Sequence, residues 1–244
     1  MTARARILQK LCAVSVAKDA ALPDVHAFYR AEKQQQSAQT QPSVAQQKRQ
    51  KIAQFCRQLR AAHAEVIEVS ALNWPALVRA YCEQNQIANL LYGAHGVYGA
   101  TLSAALAPSA QHPAAKPQLK AYAEVIDTWK DSLFEHIAAG FSSARGGIVD
   151  TGSLILWPDA HEPRALSLVP PVHFALLDAN KLYANLAEAM AQEAWYQGLP
   201  SNVLLISGPS KTADIQTTLA YGAHGPKTLV VLLMLPDDFY ALEA

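Results

Sequence analysis

The run EVIEVSALNWPALVRAYCEQNQIANLLYG, from Glu65 to Gly93, reads as strand, helix, strand, and that order decides the fold class. Val66, Ile67 and Val69 make a first strand, and Ile87 to Leu91 make a second, both rich in branched residues. Between them Asn73 can cap a helix with Pro75 at an early position, and Leu77, Val78 and Tyr81 share one face. Alternation of strand and helix implies right-handed crossovers and a parallel sheet. The expected class is α/β, a mostly parallel sheet flanked by helices.

The C-terminal half extends the pattern. Strands are expected at Ser153 to Trp157, Val172 to Leu177 and Thr228 to Leu235, with a helix from Lys181 to Gln197. The stretch SNVLLISGPSKTADIQTTLAYGAHGP, from Ser201 to Pro226, reads as a strand buried on both faces, Val203 to Ile206, followed by a small polar turn. Gly208 and Pro209 shape that turn, Ser210 or Thr212 can cap a helix, Asp214 suits its positive end, and Gly222 stops it. A strand, a polar loop and a helix N-terminus together suit an anion or a carboxylate. Ala100 to Pro117 reads as an irregular connection, and Thr128 to Ala139 as a helix.

Toward the N-terminus, Ile7, Leu8, Leu11 and Val14 fit a helix over residues 3–17. Glu32 to Gln50 is rich in Gln and poor in apolar side chains, so an extended arm is expected until about Val44. From Val44 to His63 the spacing of Ile52, Phe55, Cys56 and Leu59 restores a helix. The expected division is a peripheral helical N-terminal segment, residues 1–62, and an α/β domain, residues 63–244.

Composition removes several function classes. Lys plus Arg and Asp plus Glu both number 20, so no global field draws in nucleic acid or an anionic membrane. No apolar stretch reaches transmembrane length, and the N-terminus carries Lys18 within its short apolar part, so a cytoplasmic protein is expected. Cys12, Cys56 and Cys82 lie far apart without CxxC spacing, which argues against a disulfide framework, a structural zinc or an iron–sulfur cluster held by this chain alone. The eight histidines form no HxH or HExxH pattern, so no metal ligands are assigned.

Four constellations could carry chemistry. Asp150, Thr151, Gly152 and Ser153 place a carboxylate and two hydroxyls around a glycine turn, suited to a base and to binding oxygens; the alternative is an Asx turn. Pro170, Pro171 and His173 could aim an imidazole across the sheet end, with a hydrogen-bonded core histidine weighted at least equally. Lys211 and Thr212 resemble half of a Walker loop, but Ser210 stands where the second glycine belongs, so triphosphate hydrolysis is unsupported. YGAHG occurs at Tyr92 to Gly96 and at Tyr221 to Gly225. The expected surroundings of the two copies differ, so the repeat is read as accidental, and His224 is kept for its closeness to the main loop. GxSxG is absent, which leaves serine hydrolase chemistry without an anchor.

In order, GIVDTGSLIL from Gly147, RALSLVPPVH from Arg164, LLISGPSKTADI from Leu204 and GAHGP from Gly222 resemble the lactate-utilization protein C family, whose domain is called LUD. The resemblance covers the last hundred residues or so. It implies a fold like the ribose-5-phosphate isomerase and CoA-transferase group. It also implies a role, with two cysteine-rich or iron–sulfur partner proteins, in oxidising L-lactate to pyruvate. The clusters would belong to those partners and no cofactor to this chain. Asp150, Thr151 and Gly152 match the family's acidic-Thr-Gly motif, Gly208, Pro209, Ser210, Thr212, Ala213 and Asp214 its GPSxTAD motif, and His224, Gly225 and Pro226 its HGP ending.

The expected site is a polar cleft at the carboxyl ends of the parallel strands. Asp150, Asp214 and His224 are its candidate catalytic groups. Thr151, Gly152, Gly208, Ser210, Lys211 and Thr212 are its candidate substrate-binding residues, and a small carboxylate is the candidate ligand. The alternative is a stand-alone isomerase or transferase acting on an acyl or phosphorylated substrate.

Overall fold

The two strands at Glu65–Val69 (β1) and Asn89–Tyr92 (β2) form as expected, with the helix Trp74–Gln84 (α2) between them. Asn73 precedes the helix without a side-chain cap. Its Oδ1 instead accepts from the Ser70 N–H at 2.7 Å while Ser70 Oγ accepts from the Asn73 N–H at 3.2 Å, closing a reciprocal turn before the Pro75 start. In this computed structural model the described residues are 43–108, 117–123, 128–213 and 219–237, with Arg4, Arg6, Gln9 and Phe239. Apart from Arg4, Arg6 and Gln9, the expected helix over 3–17 lies outside them, as do the Gln-rich arm before Ser43, Cys12 and Asp214. All elements below belong to the unit Pro42–Ala244.

The main sheet is parallel throughout. Its strands run β1, β12 (Thr228–Met234), β7 (Val172–Asp178), β4 (Ala139–Ala144), β2 and β3 (Gln118–Ala121), in that spatial order. The central pair, VHFALLD and TLVVLLM, is buried on both faces, which is why each reads as an unbroken apolar run. Alternate side chains go to opposite layers. Phe174, Leu176, Val230 and Leu232 meet α2 and the helix Gly99–Leu106 (α3) through Trp74, Val78, Cys82 and Leu102. Ala175, Leu177, Leu229, Val231 and Leu233 meet the helix Val44–Ala61 (α1) and a second sheet.

Helix α1 starts with a capping box in which Ser43 and Gln46 satisfy each other's backbone N–H. Within the segment read as peripheral, α1 forms an integral layer: Phe55 and Leu59 are 0% exposed. Residues 100–117, read as irregular, begin with α3, whose Leu102 and Leu106 fill the α2 face. Alanine-rich GATLSAAL is a good helix former by propensity, and that outweighed its weak apolar pattern. Lys130–His136 (α4) and Ala165–Leu168 (α5) pack with Leu91 in a smaller cluster.

The second sheet has the order β8 (Leu182–Tyr183), β5 (Gly146–Ile148), β6 (Ser153–Leu156) and β9 (Leu204–Ile206). One residue, Arg145, separates β4 from β5, so the chain passes from one sheet into the other without a loop. Its guanidinium lies 4.3 Å from the Trp157 ring centre and 2.8 Å from Glu193, which also takes Lys181 at 3.0 Å and the Tyr183 hydroxyl.

The helix expected over 181–197 is broken. It becomes a 3-10 turn Ala179–Lys181, β8, the helix Leu186–Gln192 (α6) and a 3-10 turn Trp195–Gln197. Asn185 starts α6 by accepting from Glu188 N–H, and Ala194 in the left-handed region ends the run.

The Ser201 to Pro226 stretch departs from its expected form in two places. Strand β9 pairs antiparallel with β6 at the edge of the second sheet and leaves Leu205 47% exposed; it is not a doubly buried parallel strand. The helix expected from Ser210 to Gly222 is absent at both of its ends: Lys211–Ala213 (β10) and Leu219–Tyr221 (β11) form an antiparallel pair. Cross-strand pairing of KTA with LAY replaces the capping role read for Ser210 and Thr212. No helix N-terminus therefore stands behind the GPS turn.

Candidate functional site

The GPS and HGP segments meet over the amino ends of β7 and β12. Ser210 N–H donates to Pro226 O at 2.8 Å, Gly222 N–H to Ser210 O at 2.9 Å, and Lys227 N–H to Pro171 O at 2.8 Å. Beneath them lies a cavity of about 220 Å³ whose lining includes Ser207, Gly208, Ser210, His224, Leu229 and His173. His173 and Leu229 are each the second residue of a parallel strand. The cleft therefore sits at the amino ends, correcting the expected carboxyl-end location. Without the helix, the polar loop is held by backbone bonds to Pro226 and Gly222 rather than by a βα turn.

Gly208 is required by space. A Cβ there would lie 2.6 Å from the Ala62 carbonyl oxygen, where the loop crosses the end of α1. Gly152 is required by conformation, at φ +62°. The DTG turn lies outside the cavity lining but is wired to it. Thr151 Oγ1 is 2.6 Å from Ser153 Oγ, and Ser153 Oγ is 2.7 Å from Ser207 Oγ, a chain of three hydroxyls that ends on the cavity wall. The antiparallel register aligns it, since Leu154 faces Ile206 and so puts Ser153 beside Ser207.

His173 is the hydrogen-bonded core histidine that its sequence position allowed, and it stands in the cavity lining. The ring is 0% exposed, its Nε2 lies 2.9 Å from Ser142 Oγ, and it also lines the cavity. Burial depresses its pKa to about 3, so the imidazole is neutral over the physiological range. Its Nδ1 is buried and has no hydrogen-bond partner among the described residues.

The candidates thus separate. Gly208, Ser210 and His224 come together at the cavity; Thr151 reaches it through hydroxyls. Asp150 and Gly152 stay in the turn, where Asp150 O accepts from Gln58 Nε2 at 3.3 Å. Lys211 and Thr212 enter β10, with Lys211 exposed. Ser142, Ser207 and the placement of His173 were missed or left open. Ser207 carried one usable signal, a polar residue between an apolar run and the glycine turn; Ser142 carried none.

At the carboxyl ends, Glu162 accepts from Ser143 N–H at 2.9 Å and Ser143 Oγ–H at 2.6 Å. Burial raises its pKa, against the two Ser143 bonds. Its side chain fills the space that a Cβ at Gly96 would need, so the first YGAHG copy packs on it. Both copies follow a strand, β2 and β11, contrary to the expected difference in their surroundings. The adjoining cavity measures about 10 Å³, room for one water at most. Two cavities among the described residues have room for a small ligand: the amino-end one of about 220 Å³ and a more charged one of about 290 Å³ lined by Lys48, Lys51, Asn180 and Glu188. Among the described residues no three His, Cys, Asp or Glu side chains stand together as a metal site, and no helix is long and apolar enough to cross a membrane.

The family profile described as the LUD domain matches residues 52–234. The chain belongs to the LUD domain family. Among LUD relatives, an uncharacterised protein of Neisseria meningitidis is 45% identical over 189 residues, covering 77% of this chain and 78% of its own length. A protein named Lactate utilization protein C, from Shouchella clausii, is 33% identical over 94 residues, covering 37% of this chain and 40% of its own length. The crystal structure of a DUF162 family protein from Deinococcus radiodurans matches 78% of this chain and 98% of its own with a TM-score of 0.52. At 17% identity that likeness speaks for the LUD fold alone.

Proposed function

We propose that this LUD protein is a component of a bacterial system for using L-lactate. In this reading it handles the small acid while two partner proteins with cysteine-rich or iron–sulfur motifs carry the electrons. The observation that carries the reading is the LUD match over residues 52–234 together with a relative named for lactate utilization. The cavity supports a substrate-handling role. Its hydroxyls and imidazoles sit among aliphatic walls, and its 220 Å³ falls below the ~300–1,000 Å³ of pockets for drug-sized ligands. Only three cysteines are present, which fits clusters held elsewhere.

Deletion of the gene in its own host is expected to abolish growth on L-lactate and to leave growth on pyruvate intact, with recovery on complementation. Undiminished growth on lactate would overturn the reading.

A further inference from the structure

We propose that the cleft between α1 and the 3-10 turn Ala179–Lys181 binds a small phosphate monoester, with Lys48 and Lys51 holding the phosphate. This site is separate from the amino-end cavity and independent of the lactate reading.

The cleft measures about 290 Å³. Val44, Gln47, Lys48 and Lys51 line it at i, i+3, i+4 and i+7, a single stripe of α1. Helix α6 supplies Glu188 and Gln192, and Ala179, Asn180 and Leu182 complete the lining.

Two cations thus share the cleft with one anion, and that anion is already engaged. Glu188 Oε2 accepts from Ala184 N–H at 2.6 Å, and its Oε1 accepts from Gln192 Nε2 at 3.0 Å. Lys51 Nζ stands 3.8 Å from the same Oε1, beyond hydrogen-bond length. Among the described residues neither Lys48 nor Lys51 donates a hydrogen bond to the protein. The cleft therefore keeps an excess of positive charge and a set of unused N–H donors. The first turn of α1 carries no acidic residue, so the helix end beside Val44 adds to the same sign.

Shape selects among anions. Residues three apart on a helix have Cβ atoms about 5–6 Å apart, so the ammoniums of Lys48 and Lys51 can close on one tetrahedral group. Lysine serves phosphate as a compact point charge. A dicarboxylate divides its charge between two ends and would be served by cations placed further apart. The space exceeds that of a bare phosphate ion, and Val44, Ala179 and Leu182 give it apolar wall for a short carbon chain. Asn180 and Gln192 add amide groups for the hydroxyls of such a chain.

The test titrates glycerol 3-phosphate, inorganic phosphate and succinate into the full chain by calorimetry. Glycerol 3-phosphate is expected to bind at one site with a Kd within the ~1 μM–1 mM range of metabolite sites. Inorganic phosphate and succinate should each bind about tenfold more weakly. Lys48→Ala and Lys51→Ala should each weaken the monoester about tenfold, and the double variant should abolish measurable binding. Arg57→Ala removes the same charge from an exposed position of α1 outside the cleft and should leave the Kd unchanged. Equal melting temperatures of the unliganded proteins keep lost binding distinct from lost folding.

No saturable binding of glycerol 3-phosphate, or binding that survives the double variant, would overturn the proposal. An Arg57→Ala protein weakened as much as Lys48→Ala would also overturn it, since a diffuse field and not a site would then draw the anion. Inorganic phosphate or succinate binding as tightly as glycerol 3-phosphate would overturn the assignment to a monoester. Failure on any of these counts leaves the lactate reading, tested by growth of the deletion strain, where it stood.

Discussion

A methyl group at position 208 would sit 2.6 Å from the Ala62 carbonyl oxygen, a backbone atom that cannot rotate away. Gly208→Ala should therefore cost about 1–3 kcal/mol, as overpacking does, visible as a lower urea midpoint. His173 gives a separate handle. Its folded pKa of about 3 lies below the ordinary 6.5, so on acidification the unfolded chain takes up the proton first. The stability tied to this ring is complete above pH 6.5 and is lost as pH falls toward 3, by at most ~1.4 kcal/mol per pH unit. Melting temperature measured from pH 7 to 4 should fall less steeply in His173→Gln than in wild type.

Among elements, α1 offers the clearest energetic test. Phe55 is fully buried against Gly147 and the apolar faces of both sheets, so Phe55→Ala should cost about 3–5 kcal/mol by denaturant unfolding; a cost below about 1 kcal/mol would mean that the helix is dispensable. The sequence made the helix visible through Ile52, Phe55, Cys56 and Leu59, but not the sheets it covers. Strands with unbroken apolar runs, such as Val172–Asp178 and Thr228–Met234, were equally legible because double burial leaves a one-dimensional mark.

Strands β10 and β11 were not legible. KTADIQTTLAYG carries helix-like caps at both ends, and the cross-strand pairing of Lys211 with Tyr221 is a tertiary fact that local propensity does not encode. Much of the site was hidden for the same reason. Gly208, Ser210 and His224 could be named from motifs, whereas Ser142 reaches His173 only because β4 and β7 are neighbours in the sheet.

At the scale of the molecule, three layers share one parallel sheet: α2 and α3 on one face, and α1 with the second sheet on the other. The cavity lies where the edge strand β9 of the second sheet comes over the amino ends of β7 and β12. A ligand there touches both sheets at once. Binding should then stabilise the whole unit by mass action, raising the melting temperature with ligand concentration.

The single-residue join at Arg145 has a kinetic meaning. Its N–H donates to Ile155 O at 2.8 Å, so the strand that leaves the main sheet is already bonded into the second one. Amide hydrogens of Gly146–Ile148 should consequently exchange only through the same large opening that exposes Ala139–Ala144, as one cooperative unit. Those of Leu204–Ile206, bonded on one side alone, should exchange through smaller and more frequent excursions. Entry to the cavity can follow those excursions of its outer wall without any loosening of the strands that hold His173.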